Sequence, residues 1–316
     1  MSIASVTAPM PTLPAVTPDG VLPLGEFGVI RARGEDAAKF LHGQLTQDFV
    51  LLGVPGARLA AYCSPKGRML ASMIGIKCTA DEVLLVCRRD VLAATLKRLQ
   101  MFVLRAKVRL DDASAEYDLW GQVGASASPG GEPWEILPAP AGVMRVALYP
   151  ALGLARSLWL APAGHEAPAG PALDEAQWAW LDVLSGVAMV SAPLVEAFMP
   201  QMLNYESVGG VSFKKGCYPG QEVVARSQFR GTLKRRAFLV EGIGPMSVGQ
   251  EVYHASDAEQ PAGTVVACAA APDGGRWHAL VSMQISATTG GTLALGRADG
   301  PALRVLPLPY PLLDDV

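Results

Sequence analysis

The chain has 316 residues, half of them hydrophobic, with a mean hydropathy of +0.27, so it is long enough for two or three packed domains and far too apolar to be disordered. Its formal net charge of -3 offers no global attraction to nucleic acid or anionic lipid, and any anionic partner has to be met by a local basic patch. The five cysteines are scattered, odd in number and without a C-x-x-C pair, which argues against a disulfide framework and a zinc ribbon and in favour of a reducing compartment.

Residues 1–20 contain no positive charge and are punctuated by prolines, so they lack the pattern of a secretory signal and read as a disordered start. No apolar run reaches the length of a membrane span, and the expectation is a soluble cytoplasmic protein. The stretch "GEDAAKFLHGQLTQDF" places Ala37, Phe40, Leu41 and Leu45 at helical spacing behind two acids and predicts a short amphipathic helix. "ARLAAYC" and "RMLASMIGIK", joined by the turn "SPKG", predict two strands, and "EVLLVC" a third. "RDVLAATLKRLQMF" predicts a helix with Asp90 as its cap and Leu92, Leu96 and Leu99 on one face; "LRAKVRLDD" alternates like a strand.

The second half repeats this mixture. "GASASPGGEPWEILPAPAG" and "APAGHEAPAGPA" are loops by composition, "GVMRVALYP" and "GLARSLWLA" are strands, and "LDEAQWAWLDVLSGVAM" is a helix with Trp178, Leu181 and Leu184 on its buried face. Strands and helices without strict alternation imply an α+β class with antiparallel sheets. Beyond Arg236 the runs "RAFLVEG", "AGTVVACAA", "RWHALVSM" and "ALRVLPL" imply a small β-barrel, so we expect an α+β core over residues 21–236, with a break between halves near 123–141, and a C-terminal barrel over 237–316.

The chemistry concentrates in "FKKGCYPGQEVVAR". Four cysteines, Cys63, Cys78, Cys87 and Cys268, sit in strand-like apolar runs and read as core hydrophobes. Cys217 instead lies between Gly216 and Gly220, next to Pro219, and is presented on a turn, with Lys214 and Lys215 close enough to favour the thiolate. From Lys214 to Arg236 seven basic residues (Lys214, Lys215, Arg226, Arg230, Lys234, Arg235, Arg236) face one acid, Glu222, which suits a phosphate or a polycarboxylate. The four histidines, His42, His165, His254 and His278, show no metal-ligand spacing and read as structural or solvent-facing, so no metal site is expected. Neither a dinucleotide fingerprint, a P-loop nor a G-x-S-x-G elbow is present.

"KKGCYPGQE" resembles the K-G-C-Y-x-G-Q-E signature of the YgfZ family, folate-binding proteins of iron–sulfur cluster maintenance related to the aminomethyltransferase of the glycine cleavage system. "KFLHGQLTQDF", "SPKGRML" and "FMPQMLNYESVGGVSFKKGCYPGQEVVAR" are similar to the family's other shared blocks, so the resemblance covers most of the chain. It implies a folate-binding core of two similar α+β halves with a C-terminal β-barrel, arranged as a ring with a central ligand hole. It further implies Cys217 and Lys215 as the chemically active pair, Asn204, Gln221, Glu222 and Arg226 as cofactor-binding residues, and Gly216 and Gly220 as motif glycines, with Gln221 and Glu222 shaping the turn.

The departures matter as much. The transferase relatives carry a G-G-x-x-D-D turn and an R-x-E-A-G helix end whose glutamate holds the pterin; here Ala71 and Ser72 replace the two acids and Leu184 replaces the glutamate. The resemblance therefore implies a tetrahydrofolate-dependent accessory factor for iron–sulfur enzymes or cluster-assembly proteins, including enzymes that methylthiolate tRNA, with a polyglutamyl tail met by the basic run. A folate-dependent one-carbon transferase and a tRNA-binding module are the alternatives. The missing carboxylates count against the first, and the net acidity and lack of interleaved aromatics against direct nucleic-acid binding.

Overall fold

The computed structural model describes residues 9–12, 14, 17–229 and 233–313. Of the start read as disordered, residues 1–8, 13, 15 and 16 lie outside the described residues, and Gly20 already belongs to a strand. In chain order the first half comprises β1 (Gly20–Pro23), β2 (Phe27–Arg33), α1 (Ala37–His42), β3 (Gly56–Cys63), β4 (Met69–Lys77), β5 (Glu82–Arg88), α2 (Arg89–Met101) and β6 (Arg109–Asp112). β7 (Tyr117–Val123), β8 (Ile136–Leu137), β9 (Met144–Ala151), β10 (Leu154–Pro162), α3 (Glu175–Leu184) and α4 (Gln221–Phe229) follow. The C-terminal part is β11 (Arg235–Gly242), β12 (Glu251–His254), β13 (Gly263–Ala270), β14 (Trp277–Gln284), β15 (Leu293–Leu295) and β16 (Ala302–Leu306).

The strands form two antiparallel five-stranded sheets, β3-β4-β5-β2-β6 and β1-β7-β10-β9-β8, and a closed barrel, β11-β14-β13-β12-β15-β16. Residues 123–141, where the break between halves is expected, run from the last residue of β7 to just beyond β8, both strands of the second sheet. The second sheet also takes β1 from the start of the chain, Gly20 pairing with Val123, while β2, four residues on, pairs with β5 in the first sheet. The two halves are thereby laced together at their first strands.

Period-two alternation builds the layers. In β5, Leu84 and Val86 face the second sheet, where they join Val146, Leu158 and Leu160 in one core; Val83, Leu85 and Cys87 face the opposite side, packed with Leu41, Leu92 and Leu99 of α1 and α2. α1 is shorter than its pattern because the chain turns after Gly43 and gives its next backbone groups to tertiary partners: Thr46 N–H donates to Ala61 O at 3.0 Å, and its carbonyl accepts from Ser212 N–H at 2.9 Å. Asp90 lies within the first turn of α2 instead of capping it, and accepts a hydrogen bond from Ala192 N–H at 3.0 Å. α3 is capped by Asp174, whose carboxylate accepts from Ala176 N–H at 2.8 Å. No helix among the described residues is long and apolar enough to cross a membrane.

Polar locks fix the barrel to the core. Asn204 behaves like a piece of strand: its amide nitrogen donates to Ala237 O at 2.8 Å and its oxygen accepts from Ala237 N–H at 3.1 Å. Arg236 forms an ion pair with Glu206 whose side chains are 6% and 0% exposed, and Trp180 of α3 donates to His278 Nδ1 of β14 at 3.0 Å.

Candidate functional site

Three stretches far apart in sequence meet around the cysteine motif. Thr46 Oγ1 donates to Gly210 O at 2.6 Å and accepts from Ala61 N–H at 2.8 Å, and Gln47 Nε2 donates to Gly209 O at 2.7 Å, so "QLTQD" is stitched to "VGG". The turn "SPKG" then packs directly on the cysteine loop. A Cβ built on Gly220 would lie 2.4 Å from Ser64 O and 2.7 Å from Gly67 Cα, and Gly220 has φ +81°, so only glycine permits this approach.

Within the loop, Lys215 is buried and Cys217 is exposed. The Lys215 ammonium stem runs over the Tyr218 ring, with Nζ 4.6 Å from its centroid. Nζ donates to His42 O and, at 2.8 Å, to Leu45 O, which gather the carbonyls at the end of α1. Burial pushes the Lys215 amine down to about 8, against the opposing pull of Asp48 and Cys217. Lys215 therefore holds the loop to the end of α1, and Lys214 is the exposed member of the pair.

His42, read from the sequence as structural or solvent-facing, stands beside the motif. Its Nδ1 pairs with Asp48 Oδ1 at 3.1 Å, and its Nε2 would lie 3.3 Å from a Cβ built on Gly216. Burial alone would raise the Asp48 carboxyl, but the Leu51 N–H and His42 outweigh it and hold it below the usual carboxylate range. With a carboxylate as partner, Nδ1 of the neutral ring carries the proton and Nε2 is the acceptor facing the loop. No spacing rule joins His42 to Gly216; only the fold does. The remaining thiols belong to the interior: burial pushes Cys63, Cys78 and Cys87 up to about 12 and also raises Cys268.

Gln221 N–H closes the turn into α4 by donating to Tyr218 O at 3.1 Å, Gln221 and Glu222 open that helix, and Glu222 pairs with Arg226 one helical turn on at 2.6 Å. Asn204 is fully buried, and its carboxamide bonds the Ala237 backbone and the Tyr310 hydroxyl. The basic run is not one exposed track. Lys215 and Arg236 are buried and paired with interior groups, Arg226 is paired with Glu222, and Lys214 and Lys234 are exposed. Arg230 lies outside the described residues.

A second feature lies between the sheets. Ile74 and Val86 of the first sheet face Leu148 and Leu158 of the second across a narrow apolar cleft flanked by Tyr149 and Trp178. It shares Phe27, Trp178, Asp182, Val187 and Met189 with a wider chamber that reaches Ala267 and Cys268 of the barrel. The cleft's wall holds one ion pair, Arg156 Nη2 to Asp182 Oδ1 at 2.6 Å. None of Asn204, Lys215, Cys217, Gln221, Glu222 or Arg226 lines it. Of the positions where the transferase pattern has acids, Ala71 and Leu184 are fully buried in apolar clusters, and Ser72 Oγ accepts from Val190 N–H at 2.7 Å. Among the described residues no group of three or more His, Cys, Asp or Glu is placed to hold a metal ion.

Curated relatives match the chain along nearly its whole length. The tRNA-modifying protein YgfZ of Edwardsiella ictaluri is 30% identical over 335 residues, covering 98% of each chain, and that of Cronobacter sakazakii is 30% identical over 96% of each. The chain belongs to the YgfZ family. A Haemophilus influenzae protein described as uncharacterized is 29% identical and covers 82% of this chain and 87% of its own. No family model matches. Among solved structures, the glycine cleavage system aminomethyltransferase T of Bartonella henselae superposes with a TM-score of 0.66 over 93% of this chain and 86% of its own, at 15% identity. This YgfZ-family chain thus has the aminomethyltransferase fold: the α+β class with a closed six-stranded C-terminal barrel.

Proposed function

We propose that this YgfZ-family protein binds a reduced folate in the cleft between its two sheets and serves as an accessory factor for iron–sulfur enzymes that modify tRNA, with Cys217 supplying thiol chemistry. The observation that carries the folate reading is the cleft itself: an apolar slot between the two halves, edged by Tyr149 and Trp178 and provided with one charged pair, suits a flat heteroaromatic ring with a polar edge. In this reading residues 21–236 form the folate-binding core and 237–316 the barrel.

A bound tetrahydrofolate would supply a reduced pterin or a one-carbon unit. The chain's own residues do the rest. Gly216 and Gly220 let the loop lie against the "SPKG" turn, Lys215 ties it to α1, and His42, oriented by Asp48, is the base on its flank. The exposed Cys217 thiol is left accessible to a macromolecular client. Exposed Lys214 and Lys234 can each add only about 0.2–1 kcal/mol toward a polyglutamyl tail. The connection to tRNA rests on the printed name of the relatives. The one-carbon transferase reading has less support, because no acid stands at Ala71, Ser72 or Leu184.

The test pairs a binding measurement with a functional one. Calorimetric titration with 5-formyltetrahydrofolate should show one saturable site. In a bacterium lacking its own relative, the wild-type chain should restore methylthiolated tRNA nucleosides measured by mass spectrometry, and Cys217→Ala should not. Restoration by the alanine variant would remove the thiol from the proposal, and absence of saturable binding would remove the folate.

A further inference from the structure

The Arg156–Asp182 pair is built in a way that packing does not explain. The Arg156 side chain is 1% exposed, and its guanidinium sits 4.4 Å above the Trp178 ring. Nη2 donates to Asp182 Oδ1 at 2.6 Å, Nη1 reaches Tyr149 O at 3.4 Å, and Nε is buried without a partner. An apolar pair of the same volume would stabilise this core at least as well, because a buried guanidinium carries a large desolvation cost. What the arrangement does accomplish is to fix a carboxylate: Asp182, on α3, has a 43% exposed side chain, faces both the cleft and the adjoining chamber, and has no protein partner for Oδ2 among the described residues.

We propose that Asp182, oriented by Arg156, anchors the cleft's ligand by accepting two adjacent N–H donors, those of a 2-aminopyrimidine edge, while Trp178 and Tyr149 border the ring. This deepens the folate reading above and rests on it. Three observations select that ligand chemistry. The carboxylate is acceptor-only, so it seeks donors, and adjacent ring N–H and amino groups match its two lone-pair directions. The pair is neutral as a unit, so it offers an anion no net charge. Apart from Ser185 the remaining wall is apolar or aromatic, which suits a flat ring whose donors lie together along one edge. Helix geometry also separates this anchor from position 184: two residues along an α-helix lie about 200° apart, so that Asp182 meets the cleft while Leu184 is 0% exposed in the core.

The experiment uses the full chain and calorimetry. 5-Formyltetrahydrofolate is titrated into wild type, Asp182→Asn and Arg156→Met, and pterin is compared with lumazine, which has an oxo group in place of the 2-amino donor, as competitor. Thermal melts confirm that each variant is folded. We expect Asp182→Asn to bind about ten- to a hundred-fold more weakly, the range for loss of charge-assisted hydrogen bonds. Wild type should favour pterin over lumazine, and Asp182→Asn should lose that preference. The competition on wild type keeps the inference testable if a variant does not fold. Wild type that binds the folate with no preference for pterin, or an Asp182→Asn that binds it equally well, overturns the anchor and leaves the folate reading standing. Wild type that binds no folate overturns both.

Discussion

Replacing Lys215 with methionine isolates what the buried lysine does for the cysteine loop. Methionine keeps an unbranched stem over Tyr218 but removes the donors to His42 O and Leu45 O. The Leu45 carbonyl, buried, and the His42 carbonyl, partly buried, lose a partner at up to about 1–3 kcal/mol each, offset by release of a desolvated ammonium, so the net loss near neutral pH should be about 1–3 kcal/mol. The dependence on pH is the sharper test. The amine is pushed down to about 8 in the folded chain from an ordinary value of 10.5. Below pH 8 both states are protonated and the folded state bears the full cost of the buried charge. As pH rises from about 8 toward 10.5, the folded state loses its proton first and the unfolded chain binds more protons, so wild-type stability should rise relative to the variant. Neutral –NH₂ retains two N–H groups, enough for both carbonyls. Urea midpoints followed by tryptophan fluorescence at pH 7, 8, 9 and 10 should therefore show the wild type's advantage widening with pH. An advantage that stays constant or narrows over that range would refute this account of Lys215.

Cys217→Ala should leave the melting temperature unchanged and abolish rapid labelling by Ellman's reagent, because its thiol is exposed; Cys87→Ala, fully buried, should cost about 1 kcal/mol and leave labelling intact. Unchanged labelling of Cys217→Ala would place the reactive thiol elsewhere. Arg236→Met and Glu206→Gln should each destabilise the chain by about 3–5 kcal/mol, since either change strips a buried charge of its counter-charge, and the double variant should cost less than the sum of the two; fully additive losses in denaturant titrations would contradict the pairing. With purified components, tetrahydrofolate and an aminomethylated carrier protein should give no aminomethyl transfer above background, since Ala71, Ser72 and Leu184 stand where the transferase pattern has acids. Measurable turnover would restore the transferase reading.

Much of this protein is legible residue by residue. Alternating apolar positions mark β3, β4, β5, β9 and β10 and the longer barrel strands, the 3.6-residue repeat marks α2 and α3, and the glycines and proline around Cys217 mark an exposed loop. These are local signals, because a residue's face depends only on its near neighbours. β7 escapes that logic: its Gly121 interrupts the pattern because a side chain there would meet Trp178 at 2.7 Å, a reason visible only once α3 is packed against the sheet. α4 is hidden for a related cause, since its start is set by a glycine-to-glycine contact with a turn about 150 residues away. The same separation governs the site. The cysteine motif is readable as a string, yet His42 reaches it across 174 residues of chain and Arg156 reaches Asp182 across 26, and composition carries no record of such meetings. Local pattern determines which way a side chain faces; only the closing of β1 onto β7 and β2 onto β5 decides what it faces.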